Sequence, residues 1–300
     1  MALNATGRFR KWWIVGRRQV RRFRHRTEFF AETGDFLIDW VDTAGRGLVL
    51  LMRTLRELPR APAKADEIIR QIFLCGVISL PVVTITAFFA GAVMSAQAGT
   101  EFVRRLGSAD LLGNVVGASI CREMGPVFTA VVVTGLVGGG MASVIGTMTV
   151  SEEVDALEVM NIDPVRYLVM PRVVAMLVAL PVLTGYADVV GIFGGAVVAK
   201  YQVGGTFHVF FINAAMTLEV KDIFFGVLKS AVFAVIITIV ACDQGLNATG
   251  GAEGVGRSTM RSVVYSFLLI LVANYLLFSL VYRPLLYVLL TTKTPRHQVV

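Results

Sequence analysis

Few residues in this sequence can do chemistry, and most of them stand where a charge is costly. Arg122 and Glu123 sit side by side in an otherwise charge-free run from about Leu111 to Val150. Asp188 is the single acid of a run near 165–199, and Lys229 interrupts another at 223–242. A charge at the centre of a bilayer costs about 2.5 kcal/mol or more, so such residues face a cavity, the interior of a helix bundle or one another. Neighbours on a helix point about 100° apart, so Arg122 and Glu123 cannot both face the same way. Lys229 can reach a partner across the bundle or snorkel to the nearer surface. Asp188 can cap a turn loosened by Pro or Gly, or pair with another span.

One acidic stretch lies outside the apolar runs, Thr149-Val-Ser-Glu-Glu-Val-Asp-Ala-Leu-Glu-Val-Met-Asn-Ile-Asp-Pro164. Thr149 and Glu152 have the spacing of a capping box, the acids fall where a helix dipole favours them, and Asn161 to Pro164 end the helix. The expectation is a short cytoplasmic helix over about 149–161. It offers Val154, Leu157 and Met160 on one face and Glu152, Glu153, Asp155 and Glu158 elsewhere. That pattern suits docking into a partner's groove, or an ordinary solvated connector. The sequence contains no GxxxxGK[ST] loop, no HExxH and no GxSxG, and its three histidines and three cysteines form no metal-spaced cluster. Catalysis on this chain is not expected, no metal or cofactor is called for, and any energy for transport must come from an ion gradient or another polypeptide.

The elements that must position these residues are membrane spans. Of 300 residues, 55% are hydrophobic and only 16% charged, with a mean hydropathy of +0.70, values outside the range of soluble domains. Runs at about 71–100, 111–147, 165–199, 222–242 and 262–290 are each long enough to cross a hydrocarbon core about 30 Å thick. The second exceeds a simple span, so it must tilt, break near Gly125-Pro126 or emerge as a helix. Residues 29–58 alternate apolar and charged side chains at helical spacing, which reads as an amphipathic helix in the interface, bounded at about 35–62 by Pro59 and Pro62. The fold class is therefore all-α integral membrane, with five spans, one N-terminal interfacial helix and one short cytoplasmic helix. Gly135 with Gly139, and Gly191 with Gly195, have the spacing that lets helices approach closely in lipid.

The formal net charge of +7 is local: 15 of the 28 Lys and Arg precede residue 71, and nine of them, with no acid, fall in residues 1–26. Neither an h-region nor a cleavage site follows this arm, so it is expected to stay on the protein as a basic cytoplasmic segment over 1–34 that meets anionic headgroups. No aromatic-interleaved basic surface accompanies it, which argues against nucleic acid. Five spans put the termini on opposite faces. The weight of the first segment places the N-terminus in the cytoplasm and the tail at 293–300 outside.

The run Arg122-Glu-Met-Gly-Pro-Val-Phe-Thr-Ala-Val, the run Gly146 to Arg172, and Gly251-Ala-Glu-Gly-Val-Gly-Arg-Ser-Thr-Met-Arg-Ser-Val-Val264 closely resemble the MlaE (YrbE) permease family over about residues 65–283. Residues 1–34 are longer and more basic than that family's usual start. The resemblance implies a permease domain over 63–292 in a bacterial inner membrane, forming half of a homodimer. It implies a separate ABC ATPase that carries ATP and magnesium, a periplasmic MCE-domain protein, and phospholipid or a related lipid as cargo. It gives the helix at 149–161 the place of a coupling helix seated in the ATPase. It puts Arg122 and Glu123 at a central lipid-binding region, matches Lys229 to a lysine of the fourth span, and places Asn274 where some relatives carry an acid. Met94, Gln97 and Phe102 fall where the family lines its cavity. Two other readings stand beside it: an ion-coupled carrier relaying through Asp188, Glu123 and Lys229, and a non-transporting membrane scaffold.

Overall fold

In the computed structural model the backbone is described for residues 28–59, 64–106 and 111–292, and side chains for 42–59, 64–104 and 111–280. The basic arm over 1–27 and the tail over 293–300 lie outside the described residues. Every regular element among those described is helical. The chain is an all-α integral membrane protein with five helices long and apolar enough to cross a bilayer: Ala65–Arg104, Leu112–Val150, Val165–Tyr201, Val220–Leu246 and Gly251–Leu280. We call these spans 1 to 5.

Helix α1 (Glu28–Glu57) begins seven residues before the boundary expected at 35 and stops before Pro59. Its first part, up to Val49, forms a compact unit of its own, and the rest of the chain forms the second. Span 1 is α2 (Ala65–Leu106), which carries Pro81 in its interior. Span 2 is not one uniform helix. It runs through α3 (Leu112–Ser119), a wide π turn at Ile120–Met124, α4 (Gly125–Val133), a second π turn at Thr134–Gly138, and α5 (Gly139–Val150). The break expected near Gly125-Pro126 is thus a widened turn, and the helix continues past it through α4 and α5 to Val150. Helix α6 (Glu153–Val159) follows, then a π turn at Val165–Val169 leads into α7 (Met170–Tyr201), which completes span 3.

Helix α8 (Phe207–Thr217), between spans 3 and 4, was not anticipated. With 11 residues it is too short to cross a membrane. Its buried Phe210 joins Leu112, Val116, Ile120, Ala196 and Ala199 in a cluster at that end of the bundle. Span 4 is α9 (Val220–Leu246) and span 5 is the greater part of α10 (Gly251–Thr292).

The main core lies where spans 1 to 5 meet, around Val83, Val133, Met176, Leu180, Phe233, Ile237 and Ile270. Spans 1 and 3 approach each other most closely. A Cβ at Gly91 would stand 1.9 Å from the Gly191 carbonyl oxygen, so only hydrogen fits there. The expected role of Gly191 and Gly195 therefore holds. Gly135 does not share it, because nothing lies within 4 Å of where its Cβ would be.

Candidate polar site within the spans

The polar site begins with a backbone irregularity. Pro126 has no N–H, so it cannot close the α-helical bond to the carbonyl four residues earlier, that of Arg122. The chain widens into the π turn at Ile120–Met124, where Gly125 donates instead to the Ile120 carbonyl. Such widened turns re-aim side chains and recur at functional sites. The Arg122 carbonyl is taken by span 4: the Lys229 ammonium donates to it at 3.0 Å.

Lys229 also donates to Glu123 Oε1 in a close ion pair. The second carboxylate oxygen, Oε2, accepts from the Asn274 amide of span 5 at 3.0 Å. The Lys229 ammonium lies 5.9 Å from the centre of the Phe278 ring, at the edge of cation–π range. Lys229 is buried at 3% exposure, and its charge is matched inside the same chain. It does not snorkel to the surface.

Arg122 points elsewhere, as the 100° rule requires. Its Nη2 donates to Asp222 Oδ2 at 2.8 Å. Partnership with Glu123 was one of the readings open from the sequence; Glu123 accepts hydrogen bonds from Lys229 and Asn274. Asp222 belongs to a capping box at the start of α9: Glu219 and Asp222 each accept from the other's end of the turn, the Glu219 N–H reaching Asp222 Oδ2 at 3.3 Å. One carboxylate thus caps span 4 and holds the arginine of span 2. Sequence reasoning missed Asp222. The Glu-x-x-Asp spacing is the signal that marks it as a helix start, and nothing in the sequence marks its partner.

The other expected site residues are distributed as follows. Asp188 shares no hydrogen bond with Glu123 or Lys229, and its Oδ1 lies against Gly125, where a Cβ would stand 1.7 Å from it. Met94 and Phe102 are packed against the cluster of Leu112, Val116 and Phe210 and Gln97 is exposed.

On the other side of the bundle, α6 is real but starts differently. Thr149 is still inside α5 and donates to the Ile145 carbonyl at 2.9 Å. Glu152 takes a left-handed conformation, φ 62°, with no side-chain cap. The expected Thr149–Glu152 capping box is therefore absent, displaced by one more turn of α5. The far end is as expected: Asn161, φ 60°, closes the helix, with Ile162 N–H on the Leu157 carbonyl and Asn161 N–H on that of Glu158, a Schellman arrangement. The expected apolar face divides. Val154 is buried and Leu157 half-buried, whereas Val159 is 87% and Met160 61% exposed, beside exposed Glu152, Glu153, Asp155 and Glu158. Near the end of this loop Arg166 lies 3.9 Å from Glu57 and the Lys64 ammonium stands 3.9 Å above the Tyr167 ring. Burial, with Arg166 second, holds the Lys64 ammonium below the usual lysine range.

Comparison with known proteins agrees with this architecture. A family model described as Permease MlaE matches residues 68–280. A probable ABC transporter permease protein of Rickettsia typhi is 37% identical over 250 residues, covering 83% of this chain and 96% of that one. One of Synechocystis is 41% identical over 218 residues, 72% of this chain and 81% of its own. The chloroplastic protein TRIGALACTOSYLDIACYLGLYCEROL 1 of Arabidopsis thaliana is 37% identical over 215 residues, 72% of this chain and 61% of its own.

Proposed function

The chain belongs to the MlaE permease family, and from that membership we propose that it is the membrane subunit of an ATP-driven lipid transporter. It is a multi-pass transmembrane permease. The observation that carries the lipid reading is the asymmetry of the polar site. The side chains of Arg122 and Glu123 are each 34% exposed, whereas Asp222 and Lys229 behind them are 2% and 4% exposed. A guanidinium is thus presented on an otherwise apolar bundle with one carboxylate in its grip. A phosphate offers the same anionic oxygens in the same fork geometry.

In the proposed step a lipid phosphate exchanges with Asp222 on Arg122 while the acyl chains lie along the apolar flanks of the spans. Asp222 is not stranded by the exchange, because the Glu219 N–H still donates to it. Glu123 stays neutralised by Lys229 and hydrogen-bonded by Asn274, so its repulsion of the incoming phosphate is offset. Trigalactosyldiacylglycerol, the word in the Arabidopsis relative's name, is a glycerolipid without a phosphate; it supports a diacyl lipid as cargo and does not bear on the headgroup contact at Arg122.

The relatives named as ABC transporter permeases and the missing phosphate loop support a partner ATPase that supplies ATP and magnesium. Helix α6, with Glu152, Glu153, Asp155, Leu157, Glu158 and Met160, is the segment that docks on it. Two copies of this chain enclose the lipid path in a bacterial inner membrane, with the basic arm in the cytoplasm and the C-terminus at the periplasmic side, where an MCE-domain protein receives or delivers the lipid. Extraction from the native host in mild detergent, followed by mass spectrometry of proteins and lipids, tests this. The expected result is a stoichiometric ATPase with retained phospholipid. A chain recovered without an ATPase, whose transport collapses with the proton gradient and ignores ATP, would instead establish an ion-coupled carrier.

A further inference from the structure

Spans 1, 2 and 3 do not fill the space between them completely. A cavity of about 10 Å³ lies among Val83, Thr86, Gly91, Gly125, Thr129 and Gly191, close to the room one water molecule needs. Two oxygen atoms beside it have no partner in the protein. Thr129 is 2% exposed and its hydroxyl makes no hydrogen bond. Asp188 Oδ1 is equally buried and equally unpartnered, and it rests on Gly125, one of the lining residues. Gly125 and Thr129 are four residues apart on one helix face, about 6 Å. Two hydrogen bonds of about 2.8 Å made by a single water cover that distance.

A third contact is available. Thr86 lines the same cavity, and its hydroxyl proton is committed to the Val82 carbonyl at 2.7 Å, which leaves an oxygen lone pair to accept from the water. The unpartnered hydroxyls of Ser79, Ser95, Ser262 and Ser266 are not among the residues lining this space, so Thr129 is distinguished by position as well as by its missing partner.

We propose that one water molecule occupies this cavity and bridges the Thr129 hydroxyl to the Asp188 carboxyl, tying span 3 to the widened turn of span 2 that presents Arg122 and Glu123. A water bridge adjusts its geometry where a direct side-chain contact is fixed. It lets the two spans shift against each other without leaving either oxygen bare in a low-dielectric interior, where an unpaired polar group is costly. This inference does not depend on the cargo being a lipid.

Hydroxyl-radical footprinting by X-ray radiolysis of the full chain in phosphatidylcholine nanodiscs tests it, because a bound water labels the side chains around it. Met124 lines the cavity, and Met176, 0% exposed in the main core, is the dry control. The expected result is labelling of Met124 several-fold above Met176. Thr129→Val should lower it several-fold, Thr129→Ser should restore it, and Asp188→Asn should retain it, all at unchanged helical content. Equal labelling of Met124 and Met176 overturns the proposal, as does labelling that Thr129→Val leaves unchanged. Because Met124 is itself half-buried, the fall in its labelling on loss of the Thr129 hydroxyl decides rather than a high wild-type ratio; should Thr129→Val fail to fold, Thr129→Ala removes the same hydroxyl and takes its place. A melting temperature that rises in sodium chloride but not choline chloride, and loses that response in Asp188→Asn, also overturns it and assigns the cavity to a metal cation.

Discussion

Replacing Lys229 with Met keeps the length of the side chain and deletes its ammonium, which leaves two acceptors to account for: the Glu123 carboxylate and the Arg122 carbonyl. Removing one partner of a fully buried pair costs about 3–5 kcal/mol. Glu123 is one-third exposed and keeps the Asn274 amide, so solvent and that bond reduce its share to about 2–3 kcal/mol. The Arg122 carbonyl, with Pro126 unable to donate to it, adds about 1 kcal/mol. The single variant should therefore lose about 3–4 kcal/mol. Adding Glu123→Gln removes the uncompensated charge, and the amide still bonds Asn274. The double variant should then lie only about 1–2 kcal/mol below wild type, whereas Glu123→Gln alone, which leaves the buried Lys229 ammonium without a counter-charge, should itself cost about 2–3 kcal/mol, so the coupling is about 4 kcal/mol. Reversible unfolding of all four proteins in mixed detergent micelles measures the cycle. Additivity within about 0.5 kcal/mol would mean that the two side chains do not share an energy, and the site as described would be wrong.

Asp222→Asn leaves Arg122 without its counter-charge, so it should lower the melting temperature while raising the phospholipid retained per chain, whereas Arg122→Gln should lower retention; equal retention in both refutes exchange at Arg122. Glu153→Lys with Asp155→Lys should cut recovery of the ATPase at least tenfold and leave the melting temperature unchanged, since both side chains are exposed. Gly91→Ala forces a methyl against the Gly191 carbonyl and should cost about 1–3 kcal/mol, while Gly135→Ala, with open space around it, should cost less than about 0.5 kcal/mol in the same unfolding assay.

The spans were legible because twenty apolar residues have few other uses in a chain of this charge. Their interruptions were legible for the same reason: Arg122, Glu123 and Lys229 stood out because hydrocarbon penalises them, and all three meet in the structure. Their partners were harder to see. Asp222 lies at the end of a span, where an acid needs no explanation, so only the third dimension gives it to Arg122. Asn274 is compatible with the pair, since its amide donates to Glu123 where an ionised carboxylate could not. Helix α8 escaped because eleven residues between two spans give too short a pattern to separate from a loop. The capping box at Thr149 failed because a Thr one turn earlier in a helix can return its hydroxyl to the carbonyl four residues back, and a sequence does not say which of the two turns it belongs to.

Span 2 carries both ends of the proposed mechanism on one continuous piece of chain. Arg122 and Glu123 lie at its first π turn, and α5 leads directly into α6, about 45 Å away at 1.5 Å per residue over the intervening helix. A displacement imposed on α6 reaches the charged residues through two irregularities, the left-handed Glu152 between α5 and α6 and the π turn at Thr134–Gly138. Gly135 and Gly140 at this turn have nothing within 4 Å of a Cβ position, so close packing does not account for them. Gly138 is different: it is buried, with an Ile237 methyl 3.0 Å and a Thr134 methyl 4.0 Å from its Cβ position, so close packing accounts for it. Glycines without a packing reason at a widened turn lower the cost of bending there. The lever is consequently stiff from Gly139 to Val150 and from Gly125 to Val133, and soft between. Movement of α6 then changes the angle at which the upper half of span 2 presents Arg122 to Asp222, and the distance between them need not be driven directly.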